Sequence, residues 1–262
     1  MKSKTFALLN WGILVFFVVI GLNLGWILHL VSSQFPPYIL PDPEAMIGEL
    51  SSSPGDWAKA VAWTGGFSLI AAGLSVVLGT AVGVTAAYLR LWSIDKWAQL
   101  IWSIPLIAIA TYLLLAVGFG WAYGLSLALF LGFFPIEKHV FDVCTSHAEG
   151  VSSIAASFGL SRRQEFFRLR LPTALRSLGT PLSQSLPLCF IGETMGEYTA
   201  GQISQFSIGL GGLLRFAQSF SDYPQLWLSI ILMMLLVFCS GQLSRIAMER
   251  RFPVAEEREM LS

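Results

Sequence analysis

Long apolar stretches alternate with short polar segments along the chain. An α-helix needs about 20 apolar residues to cross the hydrocarbon core of a bilayer, and most of these stretches are near or above that length. The candidate spans cover residues 6–31, 60–89, 97–117, 121–134, 178–200 and 226–243. The fourth is short and can extend through Ile136, and the fifth is the most polar. The pattern predicts an all-α membrane protein with about six transmembrane helices, in one domain over residues 1–262.

Proline marks several boundaries and interruptions in this pattern. Pro105 interrupts the third span and Pro187 the fifth, where it predicts a kink. Such breaks are tolerated in membranes when neighbouring helices satisfy the freed backbone groups. Residues 32–59 are rich in proline, serine and acidic residues, so we expect an outer loop with a short helix near residues 44–50.

The amino-acid composition is typical of a protein that is surrounded by lipid. The chain is 55% hydrophobic and 12% charged, whereas soluble domains are about one quarter charged. Its formal net charge is zero, which gives no electrostatic ground for nucleic-acid binding. The cysteines form no CxxC pair and the histidines have no metal-ligand spacing, so no metal site is expected.

The basic residues predict the orientation, because lysine and arginine accumulate on the cytoplasmic side. With six spans, all but two of the 16 basic residues fall on one side of the membrane. The two exceptions are Lys59 and Arg215. We therefore expect both termini and the 137–177 loop to be cytoplasmic.

Within that loop, residues 148–172 predict two amphipathic helices. Gly159 interrupts the apolar spacing of the first helix and suits its end. Ser161 can cap the second helix, with Glu165 just past the first turn, and Pro172 is expected to end the unit.

Such an exposed helix pair needs something to cover its aromatic side chains, Phe158, Phe166 and Phe167. One candidate is a protein partner. The other is the surface of an anionic bilayer, which the neighbouring arginines also favour. The composition of the segment leaves both open.

The spacing of the segment resembles a known family. Nine residues separate Gly159 from Leu169, and one residue separates Leu169 from Leu171-Pro172, with Ala155-Ala156 before the glycine. This spacing is similar to that of the coupling loop of bacterial ABC importer permeases. That family usually has Glu where this chain has Ser153. The further stretches that resemble the nitrate/sulfonate/taurine/bicarbonate (thiamine-precursor) group are residues 39–46, 103–106, 118–120, 133–136 and 209–211.

This resemblance implies a MetI-like permease fold with cytoplasmic coupling helices, in the bacterial cytoplasmic (inner) membrane. It implies a second permease copy, two ATP-binding subunits and an outer solute-binding protein. ATP and Mg would be held by the ATPase, with no cofactor on this chain. The expected ATPase-coupling residues are Ser153, Ala155, Ala156, Gly159, Phe166, Phe167, Leu169, Leu171 and Pro172. The implied solute is a small nitrate-, sulfonate-, bicarbonate- or pyrimidine-like molecule.

The fifth span carries the candidate solute path or gate. Glu193 and Glu197 are four residues apart, so they share a helix face. Carboxylates inside a membrane are costly and usually face a cavity or a partner. We group them with Gln184 and Pro187 as candidates. The plain alternative is that the two glutamates are hydrated near the outer end of the helix.

The sequence shows no catalytic motif. It lacks the P-loop pattern, HExxH and G-x-S-x-G, so an enzyme is not expected and ATP hydrolysis is assigned to a partner chain. The alternative function is a proton-coupled secondary transporter that uses Glu193 and Glu197. No inverted repeat, which many such transporters carry, is evident in the sequence.

Overall fold

The computed structural model describes residues 43–146, 155, 157–200 and 209–251, and the regular elements in these ranges are all helical. They are α1 (Pro43–Ser52), α2 (Pro54–Leu89), α3 (Trp92–Trp102), α4 (Leu106–Val117), α5 (Trp121–Thr145), α6 (Arg162–Glu165), a π-helical turn (Phe166–Arg170), α7 (Leu171–Arg176), α8 (Gly179–Ala200), α9 (Leu210–Phe220) and α10 (Tyr223–Arg251). The expected first span, residues 6–31, lies outside the described residues.

Within these ranges, two stretches are long and apolar enough to cross a membrane by length and composition, Pro54–Leu89 and Tyr223–Gln242. Helices α3 and α4 meet the same criterion only as a pair bent by 97°, the geometry of a broken span or of a re-entrant loop. Helices α5 and α8 have 25 and 22 residues, which is long enough to span, but both carry buried glutamates.

Helix α2 shows how the sequence suits lipid. Its buried face carries small residues, among them Ser75, Gly79 and Gly83. Its large side chains, such as Ile70 and Val77, are exposed. Small residues at helix contacts and large apolar residues outside are the arrangement expected of membrane helices, which gain nothing by hiding apolar side chains from lipid.

Helix α5 is the centre of the bundle, with α2 on one side and α8 on the other. The contacts are close because glycines lie on the facing surfaces of these helices. A Cβ atom at Gly79 would lie 2.9 Å from the Ile136 Cβ, and one at Gly192 would lie 2.6 Å from the Ala128 Cα. The first contact joins α2 to α5 and the second joins α5 to α8.

Two predicted boundaries are wrong. Helix α5 continues through Pro135 to Thr145, into the range predicted as the 137–177 loop. The reason is packing, since Val140, Phe141 and Cys144 are buried in one cluster with residues of α2 and the π turn. Helix α2 begins at Pro54, inside the predicted 32–59 loop, and its Trp57 is buried. The predicted interruption at Pro105 is confirmed, because this proline lies between α3 and α4 at the N-cap position of α4.

Two short connecting helices complete the fold. The short helix expected near residues 44–50 is present as α1. Helix α9, between the expected fifth and sixth spans, was not predicted. Its Leu210 is buried with Trp57 and Leu228, so α9 closes one end of the bundle against α2 and α10.

Candidate functional site

The coupling segment (the described residues between 155 and 176) begins with a helix end at Gly159. This glycine has φ +63°, a left-handed conformation that glycine adopts without strain. The backbone N–H of Leu160 donates to the carbonyl of Ala155 at 3.0 Å, as in a glycine-terminated helix. The predicted helix end is confirmed. Ala155 is buried, while Ser153 and Ala156 lie outside the described residues.

Ser161 caps the start of helix α6, as predicted. The Gln164 backbone N–H donates to the Ser161 hydroxyl, and the Ser161 N–H donates to the Gln164 side chain at 2.9 Å. This reciprocal pair is a capping box. Gln164 therefore completes the cap, and the Glu165 carboxylate pairs with Arg170 instead.

Pro172 does not end the helical unit, contrary to prediction. It lies in the first turn of α7, directly after the π turn. In that turn the Leu171 N–H donates to the Phe166 carbonyl, five residues earlier. The wider turn accommodates a residue that has no N–H of its own to donate. Leu171 packs against the core beneath the segment, and Leu169 is half-buried.

The three phenylalanines of the segment have different environments. Phe166 is 6% exposed, and its ring packs edge-on against Tyr88 with centroids 5.1 Å apart. Phe167 is 46% exposed and Phe158 is 78% exposed. Phe166 is therefore part of the core that supports the segment. Phe158 and Phe167 remain outside, and we call them the coupling surface.

Arg170 ties the coupling segment to the end of α5. Its guanidinium donates to Glu165 Oε1 at 2.7 and 2.9 Å. It also donates to the carbonyl of Cys144 at 3.0 Å and to that of Ser146 at 3.3 Å. These carbonyls belong to the last turn of α5 and its cap, where the helix dipole favours a cation.

Glu197 holds the start of α9. Both of its carboxylate oxygens lie 2.9 Å from the Thr64 hydroxyl of α2. The Gly211 N–H donates to Glu197 at 2.9 Å, and the Leu210 N–H donates to the Thr64 oxygen at 3.0 Å. A carboxylate at a helix N-terminus receives free N–H groups and is favoured by the helix dipole. Any side chain at Gly209 would overlap this carboxylate, which explains the glycine there.

Glu193 has no comparable support. It is 1% exposed, and among the described residues neither carboxylate oxygen receives a hydrogen bond. The carboxylate lies against Gly124 of α5, where a Cβ atom would come within 2.8 Å of it. As predicted, Glu193 and Glu197 share one face of α8, and this face is turned into the helix bundle.

The other two path candidates lie elsewhere on α8. Gln184 is exposed, on the face opposite the glutamates, together with Ile191. Pro187 lies within α8, half-buried, and contacts the side of Gly241 in α10. The structure brings the two glutamates together and separates them from Gln184.

Sequence reasoning missed Thr64, Arg170 and Glu137. Thr64 and Arg170 act through partners that no local spacing reveals. Glu137 was predicted in a loop, but it is 1% exposed on α5, and its backbone lies against Gly79 and Gly83 of α2. The four-residue spacing of these two glycines is the signal that marks a close helix contact there.

A family model supplies the deciding comparison. The model described as "Binding-protein-dependent transport system inner membrane component" matches residues 75–252. The chain belongs to this family. The match includes the coupling segment, the Arg170 contacts and both glutamates of α8, so the geometry described above is that of a MetI-like permease.

Curated relatives agree with this assignment. The permease is 24% identical to a probable ABC transporter permease protein of Haemophilus influenzae over 220 residues, covering 82% of this chain and 86% of the relative. It is 27% identical to the formylaminopyrimidine transport permease protein ThiX of Halalkalibacterium halodurans, covering 76% and 79%. It is 26% identical to the riboflavin transport system permease protein RibX of Chloroflexus aurantiacus, covering 78% and 76%.

The permease is therefore the ABC transporter permease component of a binding-protein-dependent system. It is a multi-pass inner-membrane protein with a transport role, and its family is not one of enzymes. The family assignment favours ATP-driven transport over the proton-coupled alternative.

Proposed function

We propose that the permease forms half of the solute path of an ATP-driven importer and that its coupling surface docks a separate ATPase. The observation that carries this proposal is the contrast between Phe166, which is buried, and Phe158 and Phe167, which are exposed on a braced segment. Exposed aromatic side chains on a rigid support are typical anchors of a protein interface. The basic residues Arg163 and Arg168 flank Phe167.

The contacts of Arg170 and of the Phe166 ring connect the coupling segment mechanically to the membrane helices. A displacement of the segment by the ATPase would act on α5 through Arg170, and on α2 through the rings of Tyr88 and Phe166. Helix α5 packs tightly on α8 through glycine contacts, so it would carry the movement towards the carboxylates. ATP and Mg would remain on the ATPase.

We assign the two glutamates to gating rather than to choice of solute. Glu197 fixes the start of α9, and Glu193 lies between α5 and α8. Both are turned away from the exposed face of α8. That face carries Gln184 and Ile191, and it would line the path against a second permease copy. Charged glutamates in the path would repel a strongly anionic solute, but the burial of both side chains keeps them away from it.

The arrangement of the complex follows the family. It would contain two permease copies, two ATP-binding subunits on the cytoplasmic side and an outer solute-binding protein, with both termini of this chain cytoplasmic. Two of the relatives are named for heteroaromatic solutes, formylaminopyrimidine and riboflavin. We therefore place a small nitrogen heterocycle ahead of nitrate, sulfonate and bicarbonate as the solute class.

The test is gentle purification of the tagged chain from its native membrane, followed by mass spectrometry of the proteins that remain bound in fixed proportion. The proposal expects a P-loop ATPase, and a captured outer binding protein can then be screened for its ligand. A chain that purifies alone and transports when reconstituted alone would refute the proposal.

A further inference from the structure

A cleft of about 160 Å³ lies beside the coupling segment, and the proposed function assigns no ligand to it. It is formed where α2 ends, α3 begins and the coupling segment crosses the end of α5. The residues that matter for its chemistry are Tyr88, Arg90, Trp92, Arg162, Glu165 and Arg170.

The cleft has an excess of positive charge. Arg170 and Glu165 form an ion pair at 2.7 Å, so their two charges offset each other. Arg162 donates one bond, at 3.3 Å, to the Tyr88 carbonyl, which is neutral. Among the described residues, the Arg90 side chain has no hydrogen bond or ion pair. Two guanidinium groups are thus left to face an anion, and guanidinium groups match the oxygens of a phosphate in geometry as well as charge.

Exposed apolar side chains adjoin this charge. Leu89, Leu91 and Trp92 surround Arg90 in sequence and are exposed. Helix α3 continues the surface with exposed Trp97 and Leu100. Tryptophan and tyrosine favour the headgroup level of a bilayer. A basic cleft at that level, next to an apolar surface, matches a molecule with an anionic head and acyl chains.

We propose that this cytoplasmic cleft binds the phosphate headgroup of an anionic phospholipid. This inference rests on the orientation given in the proposed function, in which the end of α2 lies at the cytoplasmic leaflet. Basic pockets between helices on that side suit anionic headgroups. The bound phosphate would join Arg90, at the end of α2, to Arg162, in the coupling segment, and would hold the segment at the membrane surface.

The experiment is native mass spectrometry of the transporter, purified with its partners and titrated with phosphatidylglycerol or with phosphatidylcholine. The variant is Arg90→Gln, which removes one charge without adding a Cβ-branched side chain at a left-handed position (φ 55°). The matched control is Arg176→Gln, an exposed cation at the end of α7 that does not line the cleft.

We expect phosphatidylglycerol to be retained in preference to phosphatidylcholine. Arg90→Gln should weaken its retention about fivefold, the effect of one basic residue near an anionic surface. Arg90→Lys should keep most of the retention, and Arg176→Gln should keep all of it.

Equal retention of the two lipids would overturn the proposal, and so would equal losses in Arg90→Gln and Arg176→Gln. Displacement of phosphatidylglycerol by millimolar inorganic phosphate would show a site for a soluble anion and would also overturn it. If Arg90→Gln does not fold, the comparison of the two lipids on the unaltered chain still decides. The same spectra show whether ATPase subunits are present, so a failure of the proposed function is distinguishable.

Discussion

The hydroxyl of Thr64 lies 2.9 Å from both oxygens of the Glu197 carboxylate and joins α2 to α8 across 133 residues of sequence. The same hydroxyl accepts the N–H of Leu210, and the carboxylate accepts that of Gly211. One buried pair therefore connects three helices. A group with this many bonds in a medium of low dielectric holds its elements in one relative position.

The first prediction concerns this pair. Thr64→Val keeps the shape of the side chain but removes a donor and an acceptor, and Glu197→Gln keeps an acceptor for Gly211 but removes the charge. We expect each to lower the free energy of unfolding by about 1–3 kcal/mol, and the double variant to lose less than the sum. Reversible unfolding in mixed micelles measures both.

Ser68→Ala is the control for that cycle. Ser68 is also buried on α2, one turn away, but its hydroxyl donates to the carbonyl of Thr64 in its own helix. We expect Ser68→Ala to lower the free energy of unfolding by less than Thr64→Val does. An equal cost for the two substitutions, or strict additivity of Thr64→Val with Glu197→Gln, would show that the buried pair does not join the helices.

The second prediction concerns the contact between α5 and α8. Gly192→Ala would place a Cβ atom 2.6 Å from the Ala128 Cα, so the helices must separate. We expect a loss of about 1–3 kcal/mol in the free energy of unfolding, the range for overpacked cores. Gly73→Ala on α2 meets no atom within 4 Å and should be neutral or stabilising. If both substitutions cost the same, close packing at Gly192 is not what holds α5 on α8.

The third prediction concerns Arg170. Arg170→Gln removes the ion pair with Glu165, whose side chain is 19% exposed, and the hydrogen bonds to the carbonyls at the end of α5. We expect a loss of about 1.5–3 kcal/mol, as for hydrogen bonds to charged groups. Lys59→Gln breaks an ion pair whose members are 70% and 73% exposed, and it should stay within about 0.5 kcal/mol. Similar values for the two variants in thermal unfolding would contradict the role given to Arg170.

The fourth prediction separates the phenylalanines by their effect on stability. Phe166→Ala removes a ring that is 6% exposed and should cost about 3–5 kcal/mol. Phe158→Ala removes a ring that is 78% exposed and should stay within about 0.5 kcal/mol. Thermal unfolding of the two variants in detergent checks this. A stable Phe166→Ala variant would mean that the segment does not rest on the core as the structure shows.

Part of this arrangement follows from the sequence because it depends on local chemistry. The apolar length of α2 predicts a span, Gly159 predicts a helix end and Ser161 predicts a cap, and each is present. The spacing from Gly159 to Pro172 was enough to indicate the family. These signals lie within a few residues of the features they describe.

The rest depends on contacts between distant parts of the chain. Phe158, Phe166 and Phe167 are alike in sequence, and Phe166 is the one that packs into the buried cluster with α2 and α5. Pro172 would end an ordinary helix, but the π turn before it allows the helix to continue. Thr64 lies 133 residues from Glu197 in the sequence, and the fold places the two side chains in contact.

The most direct test of the central claim measures how much ATPase stays bound to the permease when the coupling surface is charged. Phe158→Asp with Phe167→Asp adds two carboxylates at exposed positions, and Phe216→Asp on α9, which is 53% exposed, is the control. We predict that the double variant retains the fold and binds about tenfold less ATPase or weaker still, as expected when interface anchors are lost. The control should bind as the unaltered chain does. Full recovery of the ATPase with the double variant, together with normal ATP-driven uptake, would contradict the assignment of Phe158 and Phe167 as the coupling surface.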